Sequence, residues 1–587
     1  MAYHSKRFFS ACLLILLASL KLDAQDTSSG ASTIRLNQIG FYPGAPKTAI
    51  VTTGTTGDFQ IRKAGKVVYT GKLKQSLKPG FSGQYTSIAD FSNFTTPGTY
   101  TLTVKGVGQS YPFNISNSAN SGVATGTLKA FYFMRASAPL EKKYAGKWQR
   151  ASGHPDNKVL VHPSAADAKR PAGTVISSPG GWYDAGDYNK YVVNSGISTA
   201  TLLSLYEDFP EYMKTVKLNI PESNNKLPDV LYEVLWNLRW MLTMQDPNDG
   251  GVYHKLTTAK FDKMEMPDKD TAVRYVVQKS TAAALDLAAV SAQASRIFKG
   301  FDKELPGFAD SCLKVSEYAY QWAVKNPNVL YEQDAMNKQF KPAVTTGTYG
   351  DRNVSDEFLW ASAELYKATG KDEYFGKINM TKSEMVSVPT WSNVKLLGYY
   401  ALADSKELDP DHRLILADIK DRLINFADIF VSGADSNAYQ TVMTKFKGNF
   451  NWGSNSNAAN QGILLIKAYK LTRNKKYLDY ALANLDYLLG RNGSGYCYVT
   501  GFGSKPTMHP HHRPSVADGV VDPIPGLLAG GPNPGMQDKI QVPSTAPDEA
   551  YIDDDRSYAT NEIAINWNAP VAYLANAIEA LQKELKP

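Results

Sequence analysis

Beyond about residue 120, apolar side chains recur at spacings of three and four in one run after another, which commits most of this chain to helices. The runs fall at residues 126–135, 197–209, 229–245, 279–298, 308–325, 356–369, 412–431, 458–471, 475–489 and 562–583. Several carry their own punctuation. Ser355 stands where it can cap a first turn, Asp356 and Glu357 suit the positive end of a helix dipole, and Gly370 is placed to close the same helix. The stretch Tyr366-Lys367-Ala368-Thr369 with Tyr374 recurs as Tyr469-Lys470-Leu471-Thr472 with Tyr477, both at an offset of 103 residues. A helix, a tight turn and a second helix must bury their apolar faces on neighbours, so the pattern predicts stacked αα-hairpins. A closed ring and an open solenoid satisfy it equally.

The segment upstream has the period of strands. Short alternating runs at 48–52, 59–62, 66–69, 100–104 and 111–115, broken by Gly and Pro, suit a small β-sandwich over residues 25–117. A polar stretch, 116–121, marks the boundary with a helical domain over 118–587. Residues 1–24 carry Lys6 and Arg7, an apolar run and Leu22-Asp23-Ala24, the pattern of a cleaved signal peptide. The apolar run is shorter than the ~20 residues of a spanning helix, and Cys12 precedes most of it, which argues against a lipid anchor. The mature protein is therefore expected to be exported, to periplasm or medium, with no membrane attachment and as a monomer. Its two remaining thiols, Cys312 and Cys497, are expected to be buried and free. The formal charge of +7 is too small and dispersed for a nucleic-acid partner. Aromatic residues are abundant: 34 Tyr, 23 Phe and 9 Trp. Planar rings with a polar edge are what sugar faces stack on.

Three loop segments carry candidate chemistry. In Gly180-Gly181-Trp182-Tyr183-Asp184-Ala185-Gly186-Asp187-Tyr188-Asn189-Lys190-Tyr191, two carboxylates three apart are separated only by small residues. Both side chains can therefore reach one small volume, where a water is a natural occupant; a calcium loop or a capped turn is the alternative. The second segment runs from Tyr551 to Pro570 and places Glu562 at the start of the last helical run, between apolar flanks that would raise its pKa and keep a proton on it. The competing role is a first-turn glutamate serving the helix dipole. In the third, Met508-His509-Pro510-His511-His512-Arg513-Pro514, a proline interrupts the spacing a zinc site needs and an arginine adjoins it; hydrogen-bond donors aimed at hydroxyls or carboxylates fit better. No nucleophile elbow, phosphate-binding glycine loop or thiol with a nearby activating His appears.

Together these segments resemble glycoside hydrolase family 9, the inverting cellulases. GGWYDAGDYNKYV is similar to the family's base motif, YVTGFGSKPTMHPHHRP to its histidine motif, and the stretch from Tyr551 to Ala569 to its acid motif, with Tyr551, Asp553, Tyr558, Glu562, Asn568 and Ala569 in register. The resemblance implies a multidomain chain, an N-terminal immunoglobulin-like sandwich followed by a closed (α/α)6 barrel. It implies Asp187 as general base, Asp184 as a second holder of the water, Glu562 as general acid, His511 and Arg513 as sugar-binding residues, and Tyr558 in the cleft. Trp182, Tyr183, His254, Trp452 and Tyr496 are further candidates for stacking or hydroxyl contacts. Tyr188 and Cys497 depart from the usual residues and could tune the cleft. The implied activity is endo-β-1,4-glucanase on cellulose-like glucans. Exo-action on gluco- or glucosamino-oligosaccharides, and hydrolysis of xyloglucan or mixed-linkage glucan, are the alternatives. A non-catalytic glycan-binding protein would have lost one of Asp184, Asp187 or Glu562, and all are present. No cofactor is expected, although the oxygen-rich loops at Asp246, Asn248 and Asp249 and at Asp553, Asp554 and Asp555 could take calcium; solvated loop charge is the preferred reading. The sandwich, with no evident row of exposed aromatics, is expected to prop the barrel.

Overall fold

The computed structural model describes residues 33–378, 387–403 and 412–585; the expected signal peptide lies outside the described residues. The N-terminal unit is a β-sandwich. One sheet has the order Ile34–Arg35, Thr48–Val51, Ser87–Asp90, Lys74–Gln75; the other runs Gly40–Phe41, Phe113–Ile115, Gly98–Val104, Asp58–Lys63, Lys66–Lys72, with Gly108–Gln109 paired to Gly98–Val104. Alternation sets the faces: Phe59 and Ile61 point inward while Gln60 and Arg62 do not, and Tyr100, Leu102 and Val104 repeat the pattern on the neighbouring strand.

Of the helices that follow among the described residues, twelve build the barrel: α1 (Ser121–Phe133), α2 (Val192–Asp208), α3 (Asp229–Thr243), α4 (Thr281–Phe298), α5 (Phe308–Lys325), α6 (Ser355–Thr369), α7 (Asp372–Phe375), α8 (Lys395–Ala403), α9 (Arg413–Val431), α10 (Ser454–Thr472), α11 (Lys475–Leu488) and α12 (Ile565–Leu581). The even-numbered helices form an inner ring: α2, α4, α6 and α8 pack in succession, α12 packs on both α10 and α2, and Lys467 of α10 lies over the Tyr400 ring of α8 (5.6 Å), which closes the ring. Each odd-numbered helix backs an inner one: α1 on α12, α3 on α2, α5 on α4, α7 on α6, α9 on α8 and α11 on α10. This is the (α/α)6 barrel, and it resolves the choice between ring and solenoid.

Three expectations need correction. The last helix begins at Ile565, not at Glu562, whose backbone is extended (φ −65°, ψ 154°). Ser355 lies inside α6, where Val354 is the cap residue, and its hydroxyl donates to Asn353 Oδ1 (2.8 Å); Gly370 does close the helix, at φ 68°. Helix α8 was not expected. Every residue from Leu396 to Ala403 is buried, and a helix covered on all sides has no polar stripe to reveal its period.

The barrel mouth is built from the loops that precede inner helices. They carry a small sheet in the order Val175–Ile176, Val159–Val161, Arg274–Val276, Lys255–Thr258, Lys190–Tyr191, with strands too short to show a period in sequence. Val192 opens α2 directly after the last of these strands. The sandwich lies against the barrel through buried polar contacts: Asn37 Nδ2 donates to Asp486 Oδ1 (2.8 Å), Gln38 Oε1 accepts from the amides of Ser504 (3.0 Å) and Lys505 (2.8 Å), and Tyr42 OH donates to Glu579 Oε1 (2.6 Å). Cys312 and Cys497 are free and buried.

Candidate active site

The loop bearing Asp184 and Asp187 is held from both ends. Gly181 takes a left-handed conformation (φ 80°), and a Cβ there would meet the Trp240 ring at 2.8 Å. Gly186 approaches so closely that a Cβ would lie 2.4 Å from the His511 carbonyl oxygen; only glycine fits. The Asp184 carbonyl accepts the amide of Ile565 (2.9 Å), tying the loop to the start of α12.

Both donors to Asp187 go to one oxygen: Asn189 Nδ2 (2.6 Å) and Tyr191 OH (3.1 Å) reach Oδ2. Oδ1 has no donor among the described residues. Asp184 is held at both oxygens, by Asn194 Nδ2 (2.9 Å) and Tyr349 OH (2.9 Å). Burial, then the Asp187 charge, pushes Asp184 well above the ordinary carboxylate range.

Glu562 is brought to the same place by strand-like pairing. It bridges His511 in parallel, and the next residue, Ile563, bridges Ala529. These ladder contacts hold residues 562–564 extended, so the glutamate faces the groove instead of a helix dipole. Its pKa is raised well above the ordinary glutamate value, first by burial and then by the charges of Asp187 and Asp184, with the Gly186 amide and Arg513 opposing. A group so placed keeps its proton at pH values where an ordinary carboxyl has lost it.

His511 Nδ1 bonds the Asp555 carbonyl (2.6 Å), so that nitrogen carries the hydrogen. Burial lowers the ring's pKa, and the neutral ring presents Nε2 as an acceptor, the reverse of the donor role expected. Arg513 directs Nη1 to the Gly186 carbonyl (2.7 Å), Nη2 to Asp262 (2.9 Å) and Nε to Asp262 and Lys263 (both 3.1 Å). It thus ties the loop of Asp184 and Asp187 to its neighbour, and its main contacts are backbone rather than groove. Trp452, 44% exposed, packs its ring 5.2 Å from that of Tyr558, which lies 6.1 Å from His511. These rings form a wall leading to the carboxyl groups.

Other expected contacts lie elsewhere. Trp182 is wholly buried against Phe131 (4.6 Å), and Tyr183 is buried with its hydroxyl on His154 Nδ1 (2.8 Å). His254 is buried, stacked on Tyr331 at 4.1 Å and bonded at both nitrogens, to Ser280 Oγ and the Thr348 carbonyl. None of the three has a face to offer a sugar. Tyr496 is half-buried beneath the Lys505 ammonium, 3.9 Å from its ring. Tyr188 and Cys497 are fully buried and line no cleft. Sequence reasoning assigned no role to Asn189 or Tyr191, although both lie in the quoted motif, nor to Asn194 one turn later. It missed Tyr349, whose left-handed backbone (φ 45°) leaves no local signature.

The loop considered for calcium has an ammonium at its centre. Lys279 Nζ reaches Asp246 Oδ2 (2.7 Å), Asp249 Oδ2 (2.9 Å) and Asp167 Oδ2 (3.1 Å). In the other loop, Asp553 accepts the amides of Met508 and His509 (both 2.8 Å), and Asp554 pairs with Arg556. Among the described residues no cluster of His, Cys, Asp and Glu is arranged to hold a metal.

The model of glycosyl hydrolase family 9 matches residues 121–575, and that of the cellulase N-terminal ig-like domain matches residues 29–109. The chain is 47% identical over 552 residues to a xyloglucan-specific endo-beta-1,4-glucanase from Bacteroides ovatus, covering 93% of this chain and 94% of the relative. It is 34% identical over 550 residues to endoglucanase D of Acetivibrio thermocellus, covering 92% and 82%. A solved structure described as Bacteroides ovatus GH9 superposes with a TM-score of 0.89 at 46% identity, covering 94% of this chain and 99% of that one. The protein is thus a glycoside hydrolase built as an ig-like module on a helical barrel. It belongs to glycosyl hydrolase family 9, whose members among these relatives are endoglucanases.

Proposed function

We propose that the chain is an inverting endo-β-1,4-glucanase, with Asp187 as general base, Asp184 helping to hold the water and Glu562 as general acid. The observation that carries this is the contrast between the two groups. Asp187 leaves Oδ1 open beside an anchored Oδ2, while burial and two neighbouring carboxylates favour a proton on Glu562. Asp187 takes a proton from water as the water oxygen bonds to the anomeric carbon. The bond from that carbon to the glycosidic oxygen breaks, and Glu562 protonates the departing oxygen. A separation of roughly 6.5–9.5 Å between the carboxyls leaves room for the water. His511 Nε2 accepts from a sugar hydroxyl, and Trp452 and Tyr558 stack on pyranose faces.

Xyloglucan is the favoured polymer among β-1,4-glucans, because the relative with that printed specificity matches along nearly the whole chain. All proton-transfer groups are protein carboxyls, so no cofactor is required. We read the protein as an exported monomer; no helix among the described residues is long and apolar enough to cross a membrane. The test is a product profile on tamarind xyloglucan, carboxymethyl cellulose and mixed-linkage glucan. Early release of mid-length fragments is expected, with kcat/KM on xyloglucan about tenfold or more above the others. Release of only terminal mono- or disaccharides would overturn endo-action.

A further inference from the structure

We propose that Lys255 is a positioning residue for the base: its buried ammonium backs both hydrogen bonds that anchor Asp187. The inference rests on the reading of Asp187 given above and concerns a residue that makes no contact with the carboxyl groups itself.

Lys255 opens the strand Lys255–Thr258 and pairs in register with Tyr191, four residues beyond Asp187. It is fully buried. Its Nζ donates to Gln333 Oε1 (2.7 Å), Thr346 Oγ1 (3.0 Å) and the Gly347 carbonyl (2.6 Å). Three acceptors call for three hydrogens, which an ammonium has and a neutral amine lacks. None of the acceptors is charged, so the compensating charge lies further off. Burying an unpaired cation is costly, and a site that retains one uses it.

Two routes lead from the ammonium to Asp187 Oδ2. In the first, Nζ lies 5.4 Å from the centre of the Tyr191 ring, whose hydroxyl donates to Oδ2 (3.1 Å). In the second, Nζ donates to Thr346 Oγ1, which contacts Thr257 Oγ1 (2.6 Å). Thr257 Oγ1 donates to Asn189 Oδ1 (2.9 Å), and Asn189 Nδ2 donates to Oδ2 (2.6 Å). With Thr346 donating to Thr257 and Thr257 to Asn189, all the hydrogens can run in one direction, from cation to carboxylate. Such a chain polarises each member and strengthens the last bond.

The other titratable groups around Asp187 are Asp184, Glu562, His511, Tyr191 and Tyr349. Around Lys255 they are Tyr191, Tyr331 and His254. Arg513 spends its guanidinium on the carbonyls of Gly186, Asp262 and Lys263 and does not bond Asp187. Lys255 is therefore the cation placed behind the base, opposing two further carboxyls in front. Burial pulls the ammonium down to about 7, and Asp187 is the group that draws it back up.

The test compares pH profiles of wild type, Lys255→Met and Thr257→Val on a soluble β-glucan, with circular dichroism to verify folding. Loss of a positive charge disfavours an ionised carboxylate, so in Lys255→Met the acid limb of kcat/KM should move up by about one unit. At pH values below both limbs, kcat should be about tenfold lower than wild type with KM within about twofold. Thr257→Val, which cuts the relay and leaves the charge, should move the limb in the same direction by a few tenths. A pH-independent loss with both limbs in place in either folded variant would overturn the proposal. Should Lys255→Met fail to fold, the limb position of Thr257→Val decides alone. A wild type without β-1,4-glucanase activity would instead overturn the underlying functional reading, whatever the variants do.

Discussion

Glu562→Gln should lose about 10³-fold in kcat/KM on β-glucan while remaining folded. Glutamine keeps the shape and hydrogen-bonding capacity of the acid but has no proton to give the departing oxygen. The loss should shrink sharply on an aryl cellooligoside with an acidic phenol, because such a leaving group departs without protonation. The same group sets the alkaline side of the pH profile. Because burial and the charges of Asp187 and Asp184 raise the Glu562 pKa, the active, protonated form persists to higher pH than for an ordinary glutamate. Activity then falls as pH climbs through that raised value, and in Glu562→Gln this limb should be absent from the residual rate on the aryl substrate. Initial-rate kinetics on both substrates provide the check; a variant within a few-fold of wild type on polymer would remove Glu562 from the chemistry.

Asp187→Asn should be as damaging, about 10³-fold, but equally so on both substrates. Water must be deprotonated whether or not the leaving group needs help, so an easier departure brings no relief. The two variants thus give opposite signatures, and recovery of Asp187→Asn on the aryl substrate would mean that the roles are exchanged. Asp184→Asn should fall less than Asp187→Asn, since Asp184 already has a donor at each oxygen, Asn194 and Tyr349, and no open one to take a proton.

The order of a sandwich followed by paired helices was legible because both depend on periodicity, whereas closure of those helices into a barrel was implied only by the family resemblance. Phe59 and Ile61 alternate as a half-buried strand must, and Phe308–Lys325 shows a polar stripe on an outer helix. The inner helix Lys395–Ala403 was hidden because burial on every side erases that stripe. At the site, residue types identified the carboxyl groups, but side-chain direction was not readable. Trp182 and Tyr183 adjoin Asp184 in sequence yet turn into the core against Phe131 and His154. The apolar residues after Glu562 extend the helical period backward, and only the long-range bridges to His511 and Ala529 show why the chain is extended there. Tyr349 and Lys255 reach the site from distant loops and strands, where no local pattern marks them.

In the proposed mechanism, water attacks from the Asp187 side while Glu562 protonates from the other. Proton NMR of the newly formed reducing ends, recorded in the first minutes of hydrolysis before mutarotation, tests it most directly. Inversion requires that the α-anomer appears first from a β-linked glucan. Initial accumulation of the β-anomer would contradict it.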